Sequence, residues 1–350
     1  MEQETAASAI SRMEWRLGEL HKNALLNSQR DRLGEIDALL ARLPQQVAQL
    51  RTRGYVYKSH LEEQLGQLAQ HWQPVRSQAI RTLEHQAVLL RPEVNRADEA
   101  VRRLQPLRMR PLTTAQPTIN RVESQLSAVE RRVRAAQEAV ENVYDELADE
   151  LEAVGNEIKG CERILEWLAG ATFALNAGEG LVAATEARTG DKDERTEGIL
   201  FLTDQRMVFE RREKVARKKF LFITTESELV KEVSWEAALS DLERIDASEA
   251  RKALVFKREM LAVVPRRGSR IAEAQFELDT DSDTWRALLL RCQTGEIASD
   301  RVGGAPPVPE YTVPAKCPFC GASISQAGRV RGIASVQCDY CGQAIELQKA

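Results

Sequence analysis

Four of the six cysteines stand in two pairs, Cys317 with Cys320 and Cys338 with Cys341. Two residues separate the members of each pair, a gap that lets both thiolates turn toward one ion. Seventeen residues separate the pairs, within the range of a four-cysteine zinc site. Gly321 and Gly342 follow the second cysteine of each pair, where a tight turn lets backbone N–H groups reach the sulfurs. Four thiolates saturate a tetrahedral Zn2+ and leave no position for a reacting water, so the chemistry is structural. A redox dithiol is the competing reading, but it wants a βαβ context that this segment lacks. Only about 35 residues surround the centre, too few for an independent core, so the ion must supply much of the folding energy. The pieces 322–325 and 344–347 are the expected strands after each knuckle. Cys161 and Cys292 read as buried helix residues and not as further ligands.

Nothing else has the spacing of a reactive centre. His21, His60, His71 and His85 are scattered, without the i, i+4 pairing of a metal site. Neither a Walker loop nor a nucleophile–base pair is present. GEGLVA (178–183) fits the pattern G-x-G-x-x-A, yet it precedes an expected strand and does not lead from a strand into a helix. No helix N-terminus is therefore available for a pyrophosphate. The chain reads as a non-enzyme.

The surrounding elements fall into three regimes, giving a multidomain α + β protein. Residues 1–168, rich in Glu, Gln, Arg, Ala and Leu, carry apolar stripes at alternating steps of three and four. One runs Leu33, Ile36, Leu40, Leu43, Val47, Leu50, and another Ile80, Leu83, Ala87, Leu90, Val94, Ala97, Val101, Leu104. The longest runs from Ile119 through Leu147 and on to Leu168, with a stutter between Leu147 and Leu151. It predicts one helix over 118–168, about 75 Å long at 1.5 Å per residue. Residues 105–117, with three prolines, predict a loop, and 51–60 another turn. Breaks or kinks are expected near Pro44, Pro74 and Pro92. Two packings satisfy the stripes: an antiparallel three-helix bundle within one chain, or a coiled coil between chains in a homo-oligomer.

Residues 170–297 bring Phe, Val, Ile and Thr in short runs, expected as strands at 181–187, 198–203, 206–212, 218–225, 233–248, 252–264 and 272–280. A helix follows, N-capped within Asp281–Asp283, with Trp285, Leu288, Leu289 and Cys292 on its apolar face and Gly295 at its end. Residues 298–315 read as a Gly/Pro linker, and 316–350 as the zinc ribbon.

Seven antiparallel strands closed by one helix resemble the pleckstrin-homology superfamily, and its GRAM and bacterial branches in particular. GILFLTDQRMVFE (198–210) is similar to that family's strand–turn–strand core, with Thr203, Asp204 and Arg206 at the turn, and Trp285 stands where the closing helix carries a tryptophan. CPFCG and CDYCG likewise resemble rubredoxin knuckles. The superfamily resemblance implies a binding module for lipid headgroups or protein partners. The loops it uses for anions would here carry Arg211, Arg212, Lys214, Arg217, Lys218 and Lys219 between strands three and four, and Arg266, Arg267 and Arg270 between six and seven. Near an anionic bilayer each such residue adds about 1 kcal/mol. The competing reading is that charged loops keep a β-domain soluble.

A net charge of -4 excludes general nucleic-acid coating. No secretory signal or spanning segment is visible, and paired cysteines fit a reducing compartment. The expectation is a cytoplasmic scaffold or adaptor, peripheral at a membrane or bound to a protein partner. The alternative is a nucleic-acid-associated factor that uses the ribbon, with Lys316, Arg329 and Arg331, together with the basic loops.

Overall fold

The computed structural model describes residues 6–190, 195–220, 223–252, 256–269, 271–303, 310–324, 328–331, 335–338 and 340–349. The chain divides into two compact units, Met1–Gly54 with His60–Leu165, and Tyr55–Ser59 with Glu166–Ala350. Among the described residues no helix is long and apolar enough to cross a membrane.

The first unit is helical: α1 (Ala7–Ala24), α2 (Asn27–Thr52), α3 (His60–Arg102), α4 (Leu112–Glu141) and α5 (Asp145–Ala169). The stripes predicted from sequence face one another within the chain, burying Leu33, Ile36, Val47, Leu83, Val94, Leu126 and Leu151. Polar contacts fix the directions. Arg16 reaches Glu130, Gln29 reaches Glu141 and Gln46 reaches Glu162, so the α1–α2 rod and the α4–α5 rod run parallel. Asp37 instead meets Trp72 and Arg76, and Arg51 meets Glu62, so α3 runs antiparallel to the first rod. The result is an up–down–up bundle of three rods. The indole N–H of Trp72, a side chain only 1% exposed, donates to Asp37 Oδ1 at 2.7 Å.

Three expectations are corrected here. The single helix over 118–168 is two helices, because at 142–144 the hydrogen bonds tighten from Val143 to Val140 and from Tyr144 to Glu141. That change of phase buries Tyr144 in place of Val143. The expected loop 105–117 is largely helical, since a short 3-10 turn occupies Gln105–Leu107 and α4 begins at Leu112, running through Pro117. Helices α2 and α3 likewise continue through Pro44, Pro74 and Pro92. An interior proline costs about 3 kcal/mol, which the long packed faces of these helices offset. The other rod is interrupted at Leu25–Leu26, where Leu26 takes a left-handed φ of 53° with its side chain fully buried.

The second unit holds a seven-stranded antiparallel sheet: β1 (Leu181–Thr189), β2 (Thr196–Thr203), β3 (Arg206–Phe220), β4 (Ile223–Ala238), β5 (Leu242–Lys252), β6 (Phe256–Pro265) and β7 (Ala274–Leu278). Their order is β4-β3-β2-β1-β7-β6-β5. GILFLT reads as an unbroken apolar run because 198–203 of β2 are buried throughout. Phe209 of β3 and Trp235 of β4 lie 5.3 and 5.4 Å from Phe276 of β7. At about 4.8 Å per strand a flat sheet would hold these rings about 14 and 19 Å apart. The sheet therefore curls into a half-barrel around this aromatic cluster.

Helix α6 (Ser282–Thr294) follows as expected. The Asp281 carboxylate accepts from the Thr284 amide at 2.7 Å, Trp285, Leu289 and Cys292 are buried, and Gly295 ends the helix at φ 78°. Two strand assignments are corrected. The segment 233–248 is not one strand but the end of β4, a 3-10 turn at Leu239–Asp241 and the start of β5. KKFLFITT (218–225) is not a strand of its own but contains the end of β3 and the start of β4. Residues 207–220 contain no Gly, Pro, Asn or Asp, so no turn residue stops β3 earlier.

The remaining strands are short: β8 (Glu310–Val313), β9 (Gly328–Arg331), β10 (Ser335–Gln337), β11 (Ala344–Glu346) and β12 (Gln348–Lys349). They form a three-stranded sheet, β12-β8-β9, and the hairpin β10-β11. Strand β8 lies in the segment expected as linker, where Tyr311 and Val313 supply apolar residues to this small module. Residues 304–309 of that segment lie outside the described residues.

Candidate metal centre

The two cysteine pairs fold into near-identical turns. Cys317 N donates to Ala322 O at 2.8 Å and Gly321 N to Cys317 O at 2.9 Å. In the second knuckle, Cys338 N donates to Gln343 O at 2.9 Å and Gly342 N to Cys338 O at 2.9 Å. Gly321 and Gly342 sit at φ 73° and 70°, in the left-handed region that disfavours any residue with a Cβ. These turns place all four sulfurs within 4.8 Å of one another.

The spacing fits a metal ion. Thiolates about 2.3 Å from a tetrahedral zinc lie about 3.8 Å apart. The pairs Cys317–Cys341 and Cys320–Cys338 are separated by 3.8 and 3.7 Å. The Phe319 amide also donates to Cys317 Sγ at 3.4 Å, the backbone-to-sulfur bond of a metal knuckle. Burial pushes the Cys317 thiol up, but hydrogen bonds from the Cys320 and Phe319 amides outweigh it and bring the group down to about 7. All four donors come from the chain, so an ion here would be coordinatively closed.

Its two sides differ. Cys317 and Cys338 are buried in an apolar cluster with Val313, Ile345 and Leu347, flanked by Tyr311, Ile324 and Val336. Cys320 and Cys341 are exposed, and beside them stand Phe319 at 64% and Tyr340 at 78% exposure. Cys161 and Cys292 are buried in helices, and burial pushes the Cys292 thiol up to about 12.

The basic residues expected in two loops are placed differently. Arg211, Arg212, Lys214, Arg217, Lys218 and Lys219 belong to β3 itself, paired with β4. The register sets Arg211 opposite Glu232, Val215 opposite Glu228 and Lys218 opposite Glu226. Arg211 pairs with Glu213, while Arg212 donates to the fully buried Glu210 carboxylate and to Trp167 O. Arg266 and Arg267 are exposed between β6 and β7, and Arg270 lies outside the described residues. Because strand directions alternate, the ends of β3 and β6 lie at the same end of the sheet.

Two polar networks escaped the sequence reading. Arg206 binds Glu179, Glu236 and the Ala174 carbonyl, and Thr203 donates to Glu179 at 2.6 Å. Asp204 accepts from the Gly180 amide, the Tyr57 hydroxyl at 2.7 Å and Arg301. Burial, followed by its bond to Asp204, raises the Tyr57 hydroxyl above the ordinary phenol range. Tyr57 arrives on the strap Tyr55–Ser59, which resembles a simple turn in sequence. Its aromatic pair, Tyr-x-Tyr, was the signal available. These networks satisfy their own members and stabilise the turn of Thr203, Asp204 and Arg206.

No family model matches the chain, and no curated protein matches it. One solved structure with some likeness is the C-terminal domain of an unknown protein from Leishmania infantum, at 14% identity over 33% of this chain and 86% of that one, with a TM-score of 0.22. Another is human RhoA in complex with the DH/PH fragment of PDZRHOGEF, at 13% identity over 81% and 93%, with a TM-score of 0.24. The linker-DH/PH domains of p115-RhoGEF follow at 13% identity over 77% and 98%, with a TM-score of 0.22.

Proposed function

We propose that the chain is a non-enzymatic scaffold. A pleckstrin-homology-like β-domain (170–297) docks to a protein partner, a zinc ribbon (316–350) adds a second contact, and the helical region (1–168) serves as a stalk. The observation that carries this reading is the closed four-thiolate centre whose open side presents Phe319 and Tyr340. A saturated zinc has no position for a substrate, whereas exposed aromatic rings beside a rigid centre suit an interface.

The test is proximity labelling by the full chain in its own host, beside metal analysis of the purified protein. One zinc per chain is expected. Neighbours labelled by the wild type should be lost from Cys317→Ser/Cys338→Ser. An unchanged set of neighbours would remove the ribbon from the interface.

A second reading, an anionic membrane surface, is favoured by exposed Arg266 and Arg267 at the sheet end where β3 also finishes. Flotation with anionic and neutral vesicles tests it: salt-sensitive flotation lost in Arg266→Ser/Arg267→Ser supports peripheral attachment.

A further inference from the structure

We infer that the open side of the metal centre receives a cationic protein segment that presents arginine side chains. The inference rests on the zinc reading above and adds the chemistry of the partner.

The two knuckles are related by a repeat of the same turn, with matching hydrogen bonds and matching glycine φ angles. Each places its aromatic at the third position of C-x-x-C, so Phe319 and Tyr340 occupy equivalent positions in the two knuckles. Both rings are spent on solvent, although the module's own apolar cluster is small. Large exposed rings held on a metal-fixed turn lose little conformational freedom when they bind.

Charge selects the occupant. Four thiolates against one divalent ion leave a formal charge of two minus. The residues within and just after the knuckles (Pro318, Phe319, Gly321, Asp339, Tyr340, Gly342) include no cation; Lys316 adjoins them in sequence, and Arg329 and Arg331 belong to β9 of the separate three-stranded sheet. Cys320 and Cys341 are the exposed cysteines of the set, and their part-buried sulfurs can still accept hydrogen bonds. A guanidinium matches every part of this surface: it is cationic, it carries N–H donors for sulfur, and its plane stacks on aromatic rings. Nucleic acid also stacks on aromatics, but its phosphates would meet the dianionic centre and be repelled.

The experiment uses the full chain loaded with zinc, and in parallel with cadmium-113. The probe is a synthetic peptide of alternating Arg and Gly, beside a Glu–Gly peptide and an oligo-dT strand. The readouts are the amide resonances of Phe319, Gly321, Tyr340 and Gly342 and the cadmium resonance. Saturable shifts with the Arg–Gly peptide alone are expected. Phe319→Ser/Tyr340→Ser should keep one metal per chain and bind this peptide about tenfold more weakly, the combined effect of two exposed cation–π contacts. Equal binding by that variant, or shifts with oligo-dT and none with the Arg–Gly peptide, would overturn the inference. A chain without stoichiometric metal would instead refute the zinc reading, which the metal analysis reports separately.

Discussion

Replacing Cys338 by serine should weaken zinc binding more than the same change at Cys341. A structural zinc contributes about 10–16 kcal/mol to a small module, or roughly 3 kcal/mol per thiolate when shared among four. Losing one thiolate therefore corresponds to roughly a 100-fold weaker site, at 1.4 kcal/mol per tenfold. The two positions then diverge because of their surroundings. At the exposed Cys341, water can take the vacated position and solvate the new hydroxyl. Cys338 is only 3% exposed and packs with Ile345 and Leu347, so its hydroxyl would sit in an apolar cluster. An unbonded buried hydroxyl costs about 1–3 kcal/mol, which adds roughly another fivefold to hundredfold. Competition with a chromophoric chelator gives the affinities. Hydrogen exchange at Cys317, Gly321 and Gly342, whose amides close the knuckles, reports folding of the module. Equal zinc affinity in both variants and the wild type would refute the four-thiolate centre. Equal but weakened affinity would refute the asymmetry drawn from burial.

Three further outcomes are expected. Asp37→Ala strands the buried Trp72 indole N–H and should cost about 1–3 kcal/mol in urea unfolding followed by helical circular dichroism. Asp37→Asn keeps an acceptor and should cost less than about 1 kcal/mol, because the Arg76 pair that it loses is largely exposed. Gly198→Ala would push a Cβ to 2.2 Å from the backbone oxygen of Glu210, forcing β2 and β3 apart and costing at least about 2 kcal/mol. Gly160→Ala on α5 meets nothing within 4 Å and should stabilise by about 0.5–1 kcal/mol, so thermal unfolding of the two variants moves in opposite directions. The hydrogen bonds from Thr284 hold the Asp281 carboxyl below its usual range. Its contribution to α6 is therefore complete at pH values above that usual range and is lost as pH falls through the lowered folded value. Exchange of the Thr284 amide should quicken over that acid interval in the wild type and show no such step in Asp281→Ala.

How much of this was legible depended on whether the cause was local. The knuckles could be read because two cysteines, their spacing and the following glycine lie within five residues and define their own turn. Helix α6 could be read for the same reason, with its cap at Asp281 and its stop at Gly295. The apolar stripes gave the buried faces of the bundle but not its interruptions. The seam positions continue across 142–144, and only three-dimensional packing brings in Tyr144 instead of Val143. Pro74 and Pro92 do not break α3, because a proline's local cost says nothing of the packing that offsets it along the helix. The basic run after Arg211 looked like a loop because its charges were read without partners. Glu232, opposite Arg211, lies on the next strand, and that register becomes visible only once β3 and β4 pair. Tyr57 and Asp204 are 147 residues apart in sequence, and no periodicity links them.

The interruptions in the bundle have a mechanical consequence. The Gln29–Glu141 bond shows that the breaks at 25–26 and 142–144 lie at nearly the same height, while α3 passes that height without a break. Under tension or bending, two of the three rods have a compliant joint at one level and the third is a continuous strut. Load applied along the bundle would concentrate in α3, and bending would favour the plane in which both joints open together. Such a rod resists stretching yet yields sideways at a single preset point.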